Sequence, residues 1–304
     1  EMCIRDRGGT THALLGTTRD GSGGGVEFTA SFGKVSIRAG RMHPLAASLK
    51  GWGRDRPLEF ELSPAEGTAT IRSSGEVLAR AEKKFGVPPE IIVATLGVET
   101  RYGTNTGSYR VIDALSTLAF EYPRRSKYFS AELKNFLLLT DAHQLQPLQM
   151  TGSYAGAIGL PQFMPSSYLN YAVDFSGDGY SDLVNSMDDA IGSIASYYRK
   201  HGWKTGKPVS WPAQDAGSQA SKLVVKKRKT DRTLHDLLNS GVTFAQDGPP
   251  DMRVGLIRLD GESGPEYRAA FENFFVITRY NTSKLYATAV QLLGEEIKQR
   301  VQAQ

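Results

Sequence analysis

Glu99 closes the run "PPEIIVATLGVE". It lies four residues after Thr95, seven after Ile92 and eight after Ile91, a spacing that stacks these side chains on one face of a helix. That face is apolar, so the carboxyl sits on the core side. It also falls in the last helical turn, where the helix dipole disfavours negative charge. Both features favour the neutral acid, and a neutral carboxylic acid can hand a proton to a leaving oxygen. The same residues also allow a buried ion pair, with Arg101 the nearest of several arginines.

The second stretch is "GSYAGAIGLPQFMPSSYLNY", residues 152–171. Its small residues let the backbone pass close to another surface. Gln162 offers an amide, and Phe163 and Met164 offer apolar contact, a set suited to a sugar carrying N-acetyl groups. Tight helix packing would use the same composition. The third is "DFSGDGYSDLVNSMDD", residues 174–189. Asp174, Ser176 and Asp178 place oxygens at alternate positions, Gly179 supplies a sharp turn and Tyr180 a carbonyl, as in an EF-hand-like calcium loop. Asn185 stands where that loop has its glutamate, and an Asp/Gly-rich turn without metal accounts for the pattern equally.

These residues need elements to hold them. The periodicity of "SSGEVLARAEKKFG" predicts a helix stopped by Gly86. Prolines at 88 and 89 open the next, which runs from about Pro89 to Tyr102 with Gly103 as terminator. Further helices are expected at about 111–120, 126–140, 166–172, 187–201 and 282–301. Between 220 and 280 "KLVVKK", "VGLIRL" and "NFFVITRY" read as strands and "TLHDLLNSG" as a helix. Residues 1–73 carry a linker-like "DGSGGG" and two weakly alternating segments that suggest short strands at most. They are left unassigned, as a non-native or disordered segment.

The chain has 304 residues, 40% hydrophobic and 22% charged, an ordinary globular balance. No apolar run reaches the roughly 20 residues a membrane span needs. The net charge of +4 suits an anionic polymer without singling out nucleic acid. One cysteine, Cys3, leaves no internal disulfide. No signal peptide is visible at the start.

Together, "GVPPEIIVATLGVETRYGTNTGSYRVIDALSTLAFEYPRRSKYF", "GSYAGAIGLPQFMPSSY", "DFSGDGYSDL…DDAIGSIASYYRKHGW" and "FFVITRYNTSKLYATAV" resemble the lytic murein transglycosylase B family. The four motifs occur in family order from about Ser74 to the C-terminus. The resemblance implies a mainly α (α+β), lysozyme-like catalytic domain over 74–304, with a deep cleft and a small late β element. Its members cleave peptidoglycan glycan strands. By resemblance Glu99 is the single catalytic acid and base. Ser153, Gln162 and Phe163 contact substrate, and Arg124, Arg125 and Tyr128 meet its peptide or lactyl carboxylate. Tyr197, Tyr280, Asn281 and Tyr286 surround the glutamate and the sugar subsites. The family's lengthened acidic loop takes its last ligand from Asp189, with Asp182 or Asp188 assisting. That gives a structural calcium site of Asp174, Ser176, Asp178, Tyr180 and Asp189, and no cofactor for catalysis.

A lone carboxylate fits this chemistry. Hydrolytic glycosidases need two, whereas a lytic transglycosylase lets the muramic C6 hydroxyl attack C1 in place of water. Asp113 and Glu121 are the next carboxylates, and Asp113 reads as a helix cap. The resemblance further implies a monomer in the periplasm, anchored to the outer membrane in full-length form, with no nucleic-acid partner. A muramidase-type hydrolase and a catalytically inactive peptidoglycan-binding protein are the alternatives. Residues 1–73 do not resemble the helices that open the family's chain.

Overall fold

A computed structural model describes residues 64–215, 220–261 and 264–303, together with six strand segments before Pro64. Strands β1 (Ile4–Arg5) and β2 (Thr11–His12) pair antiparallel. Strands β3 (Glu27–Ser31), β4 (Lys34–Arg38), β5 (Leu45–Lys50) and β6 (Pro57–Leu62) form a sheet in the order β4-β3-β5-β6. The two alternating segments thus do form strands, β3 and β4 from the first and β6 from the second. "DGSGGG" and Cys3 lie outside the described residues.

Helical structure begins before the expected boundary at Ser74. Helix α1 (Pro64–Ser73) packs against three helices that come later in the chain. Next come α2 (Gly75–Phe85) and α3 (Pro89–Thr100). Gly86 ends α2 in a left-handed conformation and Pro89 opens α3, as the sequence predicts. Helix α3 stops two residues short of expectation, because Arg101 and Tyr102 turn left-handed at φ 50° and 55°. Strand β7 (Tyr109–Arg110) leads into α4 (Val111–Glu121) and α5 (Ser126–Ala142), which pack together. Asp113 does not cap α4; it sits in the first turn, paired with Arg110 at 2.6 Å. Strand β8 (Thr151–Gly152) pairs with β7. It is followed by α6 (Pro165–Tyr171) and α7 (Met187–Lys200).

A β lobe is inserted between α7 and the C-terminal helices. It contains β9 (Ser210–Asp215), α8 (Ala220–Leu223), β10 (Arg232–Thr233), α9 (Leu234–Asn239), β11 (Val242–Phe244), β12 (Arg253–Gly261) and β13 (Gly264–Ala270). The sheet is antiparallel in the order β10-β12-β13-β9-β11. It keeps its own small core around Leu234, Leu237, Val254 and Phe271. The expected strand at "KLVVKK" is a short helix followed by a single bridge from Val224 to Leu256.

The chain returns through α10 (Glu272–Tyr280) and α11 (Lys284–Gln302). "NFFVITRY" is therefore a helix and not a strand. Residues 273–278 are all buried, so the helix shows no polar stripe, and a short apolar run of this kind carries no readable period. The larger core joins α2, α3, α4, α5, α7 and α11 through Leu78, Ile92, Leu115, Phe136, Ile194 and Leu293. Helix α3 is buried along its whole length after Glu90 and packs against α1 and α11.

Candidate active site

Glu99 emerges at the C-terminal end of α3 and is only 6% exposed. Its Oε1 accepts a 2.5 Å hydrogen bond from the Tyr286 hydroxyl, from the first turn of α11. One turn earlier on α3, Thr95 Oγ1 and the Tyr198 hydroxyl share a hydrogen bond of 2.9 Å. Two helices thus hold the carboxyl and its hydroxyl donor, and a third supports them.

The surroundings are a wall of phenols. The Tyr280 ring lies 6.2 Å from Tyr286, nearly parallel, and its hydroxyl donates to the Pro161 carbonyl at 2.5 Å. Phe163 packs against Tyr197 and Tyr280 at 5.6 and 5.8 Å. The Tyr197 hydroxyl donates to the Arg279 carbonyl at 2.7 Å. Burial is the first cause that pushes the phenols of Tyr197, Tyr198, Tyr280 and Tyr286 above their ordinary range. The negative charge of Glu99 adds to it in each case. These hydroxyls therefore stay protonated and remain donors. Among the described residues, Glu99 is the one carboxylate among the principal charges acting on all four.

The glycine-rich stretch passes beside this wall. Gly159 has a φ of 70°, and a Cβ there would lie 2.2 Å from the Leu183 carbonyl oxygen, so only glycine fits. A Cβ at Gly152 would meet the Ala157 carbonyl oxygen at 2.1 Å. Gln162 is buried and itself left-handed at φ 50°. Its Nε2 donates to the carbonyls of Thr106 and Gly159 at 3.0 and 2.9 Å, bracing the loop. Among the described residues, Arg101, Tyr102 and Gln162 are three of the four non-glycine residues with positive φ. Backbone strain among the described residues thus gathers beside Glu99.

The other expected substrate residues are placed unevenly. Ser153 is half-buried, and its Oγ accepts from the amides of Ala157 and Ala155 at 3.0 and 3.3 Å. Asn281 is buried, and its Oδ1 accepts from the Ser283 amide at 3.1 Å, shaping the turn into α11. Arg125 lies over the Tyr128 ring at 4.2 Å. The Tyr128 phenol is pushed up to about 12, by burial first and then by the charge of Glu132. Tyr128 acts electrostatically on Tyr197, which ties this cluster to the wall. Arg124 is exposed. Four residues of the site escaped the sequence reading: Thr95, Tyr171, Tyr198 and His201. Tyr171 and His201 flank Tyr197, with ring centroids at 4.8 and 4.1 Å. The double tyrosine of "SYYRKHGW" was the available signal for Tyr198, because adjacent helical residues face different neighbours.

The acidic loop brings Asp174, Asp178 and Asp189 together, with one carboxylate oxygen of each within 4.8 Å of the others. Asp189 is fully buried and accepts the amides of Phe175, Ser176 and Asp182 at 2.7, 2.7 and 2.8 Å. Asp174 accepts the amides of Gly177 and Gly179, which hold its carboxyl below the usual carboxylate range. Ser176 spends its hydroxyl on Asp174 at 3.2 Å, and the Tyr180 amide donates to Asp178 at 2.9 Å. The Asp182 carboxylate accepts from the Val184 and Asn185 amides and from the Asn185 side chain. An all-oxygen set of three carboxylates fits a hard divalent cation.

The sequence model of the transglycosylase SLT domain family matches residues 61–295. The match therefore takes in α1, ahead of Ser74. The chain is 48% identical over 222 residues to the membrane-bound lytic murein transglycosylase B of Escherichia coli strain K12. That alignment covers 73% of this chain and 60% of the relative, so the chain spans about three-fifths of the curated relative's length. The soluble lytic transglycosylase SltB1 of Pseudomonas aeruginosa superposes with a TM-score of 0.73 at 48% identity, covering 78% of this chain and 79% of that one. The Escherichia coli lytic transglycosylase Slt35 in complex with calcium gives 0.72 at 44% identity, covering 78% and 75%.

Proposed function

The chain belongs to the transglycosylase SLT domain family, and from that premise we propose that it is a peptidoglycan lytic transglycosylase, acting as a monomer in the periplasm. The observation that carries this reading is one buried carboxyl, Glu99, held by the Tyr286 hydroxyl at 2.5 Å and set among buried, protonated phenols. Most glycosidases that use water pair the acid with a second carboxyl, as nucleophile or as base. An enzyme that uses the substrate's own hydroxyl as nucleophile needs only one group that gives a proton and takes one back.

In this mechanism Glu99 protonates the oxygen leaving C1 of N-acetylmuramic acid as the C1–O bond breaks. The substrate's acetamido oxygen stabilises the cationic centre. Glu99, now ionised, takes the proton of the C6 hydroxyl while that oxygen bonds to C1. The acid is regenerated, no water is consumed, and the product ends in a 1,6-anhydro sugar. Tyr286 holds the carboxyl in place throughout. Phe163, Tyr197 and Tyr280 line the sugar subsites. Tyr128 and the arginines beside it face the lactyl or peptide carboxylate, and Ser153, Gln162 and Asn281 shape the backbone that meets the acetamido groups.

The acidic loop is read as a structural calcium site with an EF-hand-like course. Asp174, Asp178 and Asp189 would hold the ion, assisted by Ser176 and Tyr180, and the ion would pin the loop between α6 and α7. The carboxylate cluster supports this, as does the relative crystallised with calcium. The relative described as membrane-bound supports placement in the cell envelope. No helix among the described residues is long and apolar enough to cross a membrane.

The test of the central role is Glu99→Gln. General acid–base catalysis contributes about 10²–10⁴-fold. The variant should release muropeptides from isolated sacculi slower by at least about that factor, with an unchanged thermal midpoint. A folded variant of undiminished rate would remove Glu99 from the chemistry.

A further inference from the structure

The end of α10 away from Tyr280 borders a pocket of about 1020 Å³ that the reaction above leaves unused. Three parts of the chain wall it: residues 199–208, from the last turn of α7 into the turn after it, the 249–253 turn entering β12, and Phe271–Glu272 at the head of α10. Its base is apolar, with Trp203 and Phe271 buried and Met252 half-buried. Its rim is charged, with Arg199, Lys204, Lys207 and Arg253 set against Asp251 and Glu272. Among the described residues none of these four cations is in an ion pair.

The lysine turn is held rigidly from behind. Asn273 is wholly buried; its Oδ1 accepts from the Lys204 amide at 2.8 Å, and its Nδ2 donates to the carbonyls of Lys204 and Lys207 at 2.9 and 2.8 Å. The three bonds fix both ends of the turn, so the two ammonium groups project from a preset backbone. A preset backbone loses less freedom when a ligand arrives, although the lysine side chains above it still have to be ordered.

We propose that this pocket binds the peptide stem of the glycan strand, a short acidic peptide that also carries a free amine. The proposal rests on the peptidoglycan reading above. Four cations against two carboxylates attract a ligand of net negative charge, and Asp251 and Glu272 give its single amine a partner. The apolar base suits small methyl side chains. The reach is adequate. Eight residues separate Glu272 from Tyr280, about 12 Å of helix at 1.5 Å per residue. Five extended residues span about 17 Å. The wall also reaches the pocket's edge on the surface side of α7: His201, stacked on Tyr197 at 4.1 Å, directly precedes Gly202 of the pocket lining, which places the pocket within such a stem's reach.

The test uses the full chain and the double variant Lys204→Gln, Lys207→Gln. Both side chains are exposed and their turn is anchored through backbone, so folding is spared. Two probes are needed: the free pentapeptide stem, by calorimetry, and glycan strands with or without stems, by cleavage kinetics. The variant should weaken pentapeptide binding roughly fivefold or more, at about one rim charge contact's worth. It should raise KM by a similar factor on stem-bearing strands only, with kcat unchanged. An equal rise on stem-free strands, no rise on either, or inorganic phosphate displacing the pentapeptide at equal concentration would each overturn the proposal. A wild-type chain that cleaves neither strand fails the transglycosylase reading, while calorimetry judges the pocket separately.

Discussion

In the proposed reaction Glu99 must be held in one place to give and take a proton, and at the residue scale we assign that task to Tyr286. The phenol is buried and kept protonated, and its hydroxyl sits 2.5 Å from Oε1. A hydrogen bond to a charged group is worth about 1.5–3 kcal/mol. Tyr286→Phe keeps the ring stacked on Tyr280 and removes only this bond. We expect kcat to fall roughly 10- to 100-fold with little change in KM, measured on isolated glycan strands. A large loss of stability with kcat intact would make Tyr286 a packing residue instead.

At the scale of elements, α7 ends where the phenol wall begins. His201 caps it, stacked on Tyr197 at 4.1 Å, with Nδ1 2.8 Å from the Tyr197 carbonyl. A carbonyl only accepts, so Nδ1 carries the proton in the neutral ring. Burial lowers the pKa of His201 from its ordinary 6.5; the hydrogen bond to the Tyr197 carbonyl offsets part of this, and the charge of Arg279 lowers it further. The unfolded chain then binds the proton more readily than the fold does. Stability from this group is fully present above about pH 6.5. It declines as the pH falls from there towards the folded pKa. Thermal midpoints measured from pH 7.5 to 5 should therefore drop more in the wild type than in His201→Gln. Equal drops would contradict the assignment. This scale also shows what the sequence could and could not reveal. Helix α3 was legible because proline opens it and a left-handed turn closes it, both local signals. The glycine-rich loop was legible by composition, although its register against Leu183 was not. Helix α10 was misread because burial on every side erases periodicity. Tyr198 and Thr95 were missed because their meeting, between residues 103 positions apart, is tertiary. The basic pocket was illegible for the same reason, since three distant segments build it.

At the scale of the whole molecule, a helical body carries the carboxyl while an inserted β lobe keeps a core of its own. The acidic loop closes the body between α6 and α7. If it holds calcium, the ion binds the folded chain and stabilises it by mass action, about 2.7 kcal/mol at a hundredfold excess over Kd. Calcium should raise the thermal midpoint of the wild type and raise it less in Asp178→Asn, whose altered carboxylate is exposed. A midpoint indifferent to calcium would leave the loop an acidic turn. The central claim concerns the reaction, and the mass of the products tests it most directly. Mass spectrometry of sacculi digested by the full chain should show muropeptides one water lighter than hydrolysis products, ending in 1,6-anhydromuramic acid. Products ending in reducing muramic acid would contradict the account and make the enzyme a hydrolase.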